Sequence, residues 1–152
     1  KKELGARILS SLEKLHLTVK KLNLKIVDGS IYFKKAHSLG VPEKGLTNLK
    51  EQLFGLEANF EELNAIDFKK GCYVGQENTA RMKLKNKLRR KLLPIKTKEE
   101  LNFGDKIMFK KINIGKVLID KPHPFGLIKL YDPDYKDFKD QEIIVNGKKC
   151  KI

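Results

Sequence analysis

A thiol set between two glycines and beside two ammonium groups is the densest chemistry in this chain: Asp67-Phe68-Lys69-Lys70-Gly71-Cys72-Tyr73-Val74-Gly75-Gln76-Glu77-Asn78-Thr79-Ala80-Arg81. The pattern predicts a helix opening near Gly75 and running toward Leu84. A cysteine just before a helix N-terminus, with Lys70 nearby, has its thiolate favoured by the helix dipole and by the cation. Gly71 and Gly75 permit positive φ or close approach of a ligand to the backbone. A plainer reading stands beside this one. Glu77 and Arg81 are four apart, the favourable orientation for a helix ion pair, and Cys72 can be a small buried hydrophobe. Spacing alone leaves both open.

The 152 residues carry 33 Lys+Arg against 19 Asp+Glu, a formal charge of +14, with 40% hydrophobic residues. That length suits one ordinary domain or two small ones, and the apolar content excludes a disordered polycation. No apolar run approaches the roughly 20 residues of a membrane span, so no membrane role is expected. Cys72 and Cys150 make neither a disulfide framework nor a zinc site. No metal site is expected, and a reducing cytoplasm is the default location. Of the cations 29 are Lys and four are Arg in a chain also rich in Ile and Asn, which fits AT-rich codon bias as well as a polyanionic partner. Clustering favours a partner: Lys69 to Lys91 holds nine basic residues and one acid, Glu77. On an extended stretch, Lys83, Lys85 and Lys87 would present a row of ammonium groups to RNA or a polyglutamylated cofactor. No aromatic residue interleaves with that row, so the base-stacking signature of a single-strand binder is missing.

The elements that position these residues are only partly periodic. Leu4, Ile8, Leu12 and Leu15 predict an amphipathic helix over about residues 3 to 16, and Leu22, Leu24 and Ile26 alternate as in a half-buried strand. Ser30 to Leu39 reads as a helix with Ser30 as N-cap and Gly40 as stop signal. Glu43 to Asn59 reads as loop, and Phe60, Leu63 and Ile66 as one or two helical turns. From residue 87 on, short apolar bursts alternate with Gly and Pro turns, and Val145-Asn146-Gly147-Lys148 is the strongest hairpin signal. The fold class is therefore α+β, divided into residues 1 to 86 and a small antiparallel β-barrel, 87 to 152. The chain starts without an initiator Met, and the first part leaves a helix face with nothing to pack on. The sheet it needs is expected from sequence or a chain absent here.

Lys70-Gly71-Cys72-Tyr73-Val74-Gly75-Gln76-Glu77, followed by Thr79 and Arg81, resembles the K-G-C-[FY]-x-G-Q-E-x-x-x-R signature of the YgfZ-type folate-binding proteins, relatives of the glycine-cleavage T protein. The flanks are similar too: Leu4-Gly5-Ala6-Arg7 to L-G-x-R, Leu39-Gly40-Val41-Pro42-Glu43 to G-[IV]-P-E, Leu56-Glu57-Ala58-Asn59 to L-E-x-N, and Leu63 to Phe68 to the lead-in of the signature. Gly104-Asp105-Lys106-Ile107 and Ile114-Gly115-Lys116-Val117 resemble the family's barrel motifs.

The resemblance implies that 1 to 86 is the remainder of an aminomethyltransferase-like middle domain, with the N-terminal half of the fold missing. It implies a tetrahydrofolate-dependent accessory protein for iron-sulfur cluster assembly or repair. Its partners would be iron-sulfur assembly proteins and client [4Fe-4S] enzymes, tRNA-modifying ones included. Cys72 and Lys70 would be the working residues, Cys72 exchanging sulfur, persulfide or an iron ligand and Lys70 stabilising its thiolate or a folate carboxylate. Gly71, Tyr73, Gly75, Gln76, Glu77 and Arg81 would bind the cofactor. Aminomethyl transfer, the enzymatic alternative, is disfavoured: Lys35-Ala36-His37-Ser38-Leu39 before Gly40 holds no acid for a pterin's paired N–H donors. His37 reads as a surface or packing residue, and His16 and His123 are no better candidates for a base. An RNA-binding module using Lys69 to Lys91 is the third reading.

Overall fold

A computed structural model describes residues 2–71, 74–85 and 88–152. Its centre is a six-stranded antiparallel sheet made of β1 (Arg90–Pro94), β2 (Lys106–Phe109), β3 (Ile112–Ile119), β4 (Phe125–Lys129), β5 (Ile143–Val145) and β6 (Lys148–Cys150), in the order β1-β4-β3-β2-β5-β6. The hairpin read at Asn146-Gly147 joins β5 to β6, with φ of 48° and 79° at the two turn residues. Lys110 and Lys111 turn β2 into β3 with φ of 45° and 67°, the two positive values that a type I′ turn demands. Two lysines give no sequence signal for such a turn.

The expected barrel is instead an open sheet. Among the described residues its two edges meet at one bridge just past β1 and β6, where Lys96 and Lys151 exchange backbone hydrogen bonds of 2.7 and 3.0 Å. Closure fails because the free edge of β1 is occupied. Leu92 N–H donates to the Glu57 carbonyl at 2.7 Å, and the Asn59 side-chain amide donates to the Leu92 carbonyl at 2.6 Å. Pro94 has no N–H to offer, and β6 is three residues long.

Both faces of the sheet are covered, so β4 is buried from Phe125 through Ile128. Ile128 joins Ile107, Ile114 and Val145 on one side, where Phe138 of the short helix Tyr135–Phe138 closes the core. Phe125 and Leu127 face the other way and pack with Leu49, Leu92 and Leu118. Leu49 ends a 3-10 turn, Leu46–Leu49, so the stretch read as loop is a buried cover for the second face. Residues 60–66 form hydrogen-bonded turns rather than the expected helix.

In the N-terminal part, α1 spans Leu12–Lys21 instead of starting at residue 3, because the Ser11 hydroxyl caps it by accepting from Lys14 N–H. Helix α2, Gly29–Ser38, is capped by Asp28, two residues before the expected Ser30. It stops at Gly40, whose φ of 80° suits the left-handed residue of a Schellman end, with Val41 N–H bonded to Ala36 O and Gly40 N–H to His37 O. Leu22, Leu24 and Ile26 make no strand. Leu22 caps the end of α1 with φ of −94° and ψ of 4°, and the three residues are 53 to 74% exposed with no partner strand among the described residues; alternation without a ladder is not a strand. No helix among the described residues is long and apolar enough to cross a membrane.

Gly115 lies where β3 and β4 approach most closely: a Cβ there would sit 2.3 Å from the Leu127 carbonyl oxygen. Gly115→Ala is expected to cost about 3 kcal/mol, as overpacking against backbone does. Gly29→Ala, where the nearest atom would be 3.8 Å away, is expected to stay within about 0.5 kcal/mol. Urea midpoints measure both, and equal midpoints for the two variants would contradict this account of the β3–β4 contact.

Candidate functional site

The signature segment is set by a turn and a helix start. Asp67 Oδ1 accepts the Lys69 N–H at 2.8 Å, bending the chain before Lys70. Gly75 has a φ of 86° and occupies the N-cap of α3, Gln76–Leu84, with no side-chain cap bond. That conformation costs glycine nothing, and leaves first-turn N–H groups of α3 without an N-cap side chain. Cys72 and Tyr73, with Lys87 further on, lie outside the described residues.

Around this start is a cavity of about 230 Å³ lined by Asp67, Phe68, Lys70, Gly71, Gln76 and Thr79, with Ile66 and Ala80 at its wall. The structure thus brings together three of the site residues read from sequence: Lys70, Gly71 and Gln76. Gly75 shapes the turn, while Glu77 and Arg81 lie on the exposed side of α3 and form no ion pair with each other. Small-molecule pockets usually run from about 300 to 1,000 Å³, so this one lies below that range. Tetrahydrofolate is larger than the space these described residues enclose.

The acid missing before Gly40 has a counterpart that sequence reasoning overlooked. Glu57 is buried, and its carboxylate accepts from Arg90 Nε at 2.9 Å, Arg90 Nη2 at 3.2 Å and Phe54 N–H at 3.0 Å. Both oxygens are occupied, so Glu57 is engaged internally. A lone acid in an aperiodic stretch gives no sign of burial. Arg7 and Glu43, from two separate flanking motifs, meet at 2.9 Å and share the Tyr32 hydroxyl, which lies 3.0 Å from Arg7 Nη2 and 2.9 Å from Glu43 Oε1.

The lysine row is not a row. Lys83 lies in α3 and Lys85 at its C-cap, about 200° apart around a helix axis instead of side by side on a strand. Lys83 pairs with Glu61, Arg90 with Glu57 and Lys91 with Glu62, so acids from just before the basic segment neutralise part of it.

His37 is fully buried and satisfied on both nitrogens: Nδ1 donates to the His123 carbonyl at 3.1 Å and Nε2 accepts the Lys44 N–H at 3.1 Å. Its ring stands edge-on to Phe125 at 5.2 Å. It is a packing residue tying α2 to the sheet. Burial pushes its pKa below 6.5, and that of His123 likewise. Cys150 on β6 is buried at 3% exposure, and burial pushes its thiol up. Among the described residues no three His, Cys, Asp or Glu side chains gather as metal ligands.

No family model matches the chain. It is similar to proteins named iron-sulfur cluster assembly factor IBA57 homolog, mitochondrial: 42% identical over 65 residues in Neurospora crassa and 35% over 91 residues in Pyricularia oryzae. These matches cover 43% and 60% of this chain but 15% and 23% of the relatives. The mouse iron-sulfur cluster assembly factor IBA57, mitochondrial, is 39% identical over 66 residues, 43% of this chain and 18% of its own length. The chain therefore matches less than a quarter of each of these proteins. The cytoplasmic location expected from cysteine usage is overturned by these mitochondrial relatives. Sparse cysteine usage suits any thiol-reducing compartment, and that is not a property of the cytoplasm alone.

Two outcomes follow from these environments. Burial holds the folded-state pKa of both His37 and His123 below the unfolded value of 6.5, so as pH falls through 6.5 the unfolded chain binds more protons and stability is lost. The urea midpoint should drop from neutral pH to about pH 5.5, less steeply in His37→Gln; a wild-type midpoint that rises on acidification would contradict it. Iodoacetamide at neutral pH should leave Cys150 unmodified in the folded chain, because its thiol is buried and its pKa raised. Labelling of Cys150 at the rate seen in urea would overturn that burial.

Proposed function

We propose that this chain is the cysteine-bearing part of an iron-sulfur cluster assembly factor acting in mitochondria, of the YgfZ-like type. The observation that carries the reading is the similarity to proteins named as such factors, 42% over 65 residues for one of them. One geometric feature supports it: Lys70, Gly71 and Gln76 line one small cavity beside the start of α3. In this proposal Cys72 offers its thiolate to iron or sulfur of a cluster in transit, the cluster being cargo. Lys70 stabilises that thiolate, and Gly75 starts the helix whose dipole does the same. Assembly proteins deliver the cargo, and [4Fe-4S] enzymes, tRNA-modifying ones among them, receive it.

Tetrahydrofolate enters the proposal only through walls that these residues do not supply, with Tyr73, Glu77 and Arg81 as its further contacts. The division into residues 1 to 86 and 87 to 152 belongs to the same reading. Aminomethyl transfer is not part of it, since the one buried carboxylate among the described residues, Glu57, is taken by Arg90 and Phe54.

The test is made at the chromosomal locus. Cys72→Ser should lower the activity of [4Fe-4S] enzymes by about tenfold or more, in the range of losses seen when a metal site is altered. Enzymes without clusters should be unaffected. Wild-type [4Fe-4S] activity in the Cys72→Ser strain would sink the role of the thiol.

A further inference from the structure

At the start of β1 a second cavity, of about 600 Å³, is lined by Arg89, Arg90, Lys129, Tyr131 and Asp132. It owes nothing to the iron-sulfur reading. Arg90 and Lys129 stand directly opposite each other in the β1–β4 ladder. Like charges at opposed positions destabilise a sheet; Glu57 answers Arg90 here, which leaves the Lys129 charge to an anion beside it. Arg89 adds a third cation, held against the end of β4 by the Leu130 N–H bond to its carbonyl at 2.9 Å. Arg90 is fixed from behind by Glu57, whereas Lys129 Nζ donates only to the Asn113 carbonyl at 3.1 Å. Among the described residues no carboxylate pairs with Arg89 or Lys129.

The other two lining residues make the site more than a charge patch. Tyr131 is 53% exposed, an aromatic face beside the cations. The Lys83 to Lys91 stretch has no aromatic residue of its own, and the fold supplies one from the turn that follows β4. Asp132 contributes an acceptor-only carboxylate, which suits a sugar hydroxyl or a base amino group and opposes a second phosphate. A volume of about 600 Å³ lies within the usual range for a small-molecule ligand. Cations for one phosphate, a ring for a planar base and an acceptor for a hydroxyl or amine describe a single nucleotide.

We propose that the cavity of Arg89, Arg90, Lys129, Tyr131 and Asp132 binds a nucleoside monophosphate, free or as one residue of an RNA strand. Aromatic stacking and phosphate neutralisation act together there, the combination that single-strand binders use.

The test uses the whole 152-residue chain. Adenosine monophosphate is titrated by calorimetry, and a fluorescein-labelled single-stranded oligoadenylate by anisotropy, at low and moderate salt. Arg89→Glu and Lys129→Glu should each weaken binding about tenfold or more at low salt and reduce the salt slope by about one. Tyr131→Ala should weaken it about 5- to 100-fold while Tyr131→Phe keeps it, as expected when a base stacks on the ring. These side chains are at the surface, and unchanged urea midpoints identify the losses as losses of binding. Saturation by the mononucleotide alone identifies a free nucleotide as ligand, and binding of the strand alone identifies RNA; either supports the proposal. Binding of neither probe overturns it, and so do variants with wild-type affinity. Displacement of the nucleotide by inorganic phosphate or triglutamate at equal concentrations also overturns it, since the site would then read charge alone.

Discussion

The segment that leads into the signature hangs on the capture of one residue of the sheet's edge strand. Leu92 would present a bare N–H and C=O to solvent at the edge of β1; the Glu57 carbonyl and the Asn59 amide take both. An exposed edge invites pairing with another chain, so covering it is a gain in specificity as well as in hydrogen bonds. The geometry has costs. Asn59 adopts a φ of 64°, tolerated by asparagine better than by most residues, and its Oδ1 is buried without a partner. Glu57 brings a carboxylate to 3% exposure, which is sustained only because the Arg90 fork and the Phe54 N–H satisfy it. A buried charge of that kind adds little net stability over an apolar pair, yet loss of its partner is expensive. The interaction therefore fixes position more than it stabilises.

From that anchor the signature is placed at second hand. Glu61 and Glu62 follow the captured segment directly and reach Lys83 in α3 and Lys91 in β1, while Lys83 Nζ also lies 5.5 Å from the Phe68 ring centre. These exposed pairs are individually weak, worth about 0–1 kcal/mol each. Their effect is to hold α3 beside the 61–68 segment, so that Lys70 and Gln76 line one cavity. His37 makes an independent tie on the other side of the segment: α2, the Lys44 backbone, the His123 carbonyl and the Phe125 ring converge on one neutral imidazole. Helix α1 has no such tie. It buries no residue, and a ten-residue helix is marginal on its own hydrogen bonds.

What could be read in the sequence follows how local the physics is. The Asn146-Gly147 turn, the start of α3 at Gly75 and the Gly40 stop were legible because each depends on backbone conformation over two to four residues. The helix at residue 3 was misplaced because the apolar stripe begins earlier than the Ser11 cap, and the cap decides. The strand at Leu22 to Ile26 has the right alternation, but a strand needs a ladder partner that no local pattern encodes. Closure of the sheet depended on whether β1 kept a free edge, and the residues that occupy it, Glu57 and Asn59, lie far along the chain from Leu92, to which both bond. Of the site, the loop and helix residues were legible; the engagement of Glu57 and the grouping of Arg89 with Tyr131 were not, since both are made by the fold.

The charge shows why the last point matters. Read along the chain, the run from Lys69 to Lys91 is a uniform basic block with a net charge of +8. Folding divides it. Lys83, Arg90 and Lys91 are answered by acids from residues 57 to 62, in a stretch that looks like an unremarkable acidic loop beside a basic segment. What remains uncompensated at the end of the block is not a stripe but a corner, where Arg89 and Lys129 meet an exposed ring. A stripe attracts polyanions without regard to their bases, whereas a corner with a ring and a carboxylate imposes shape and direction on what it binds. The fold has thus turned a compositional excess into a specific geometry by spending most of its nearby acids on structure and leaving two cations beside an aromatic residue.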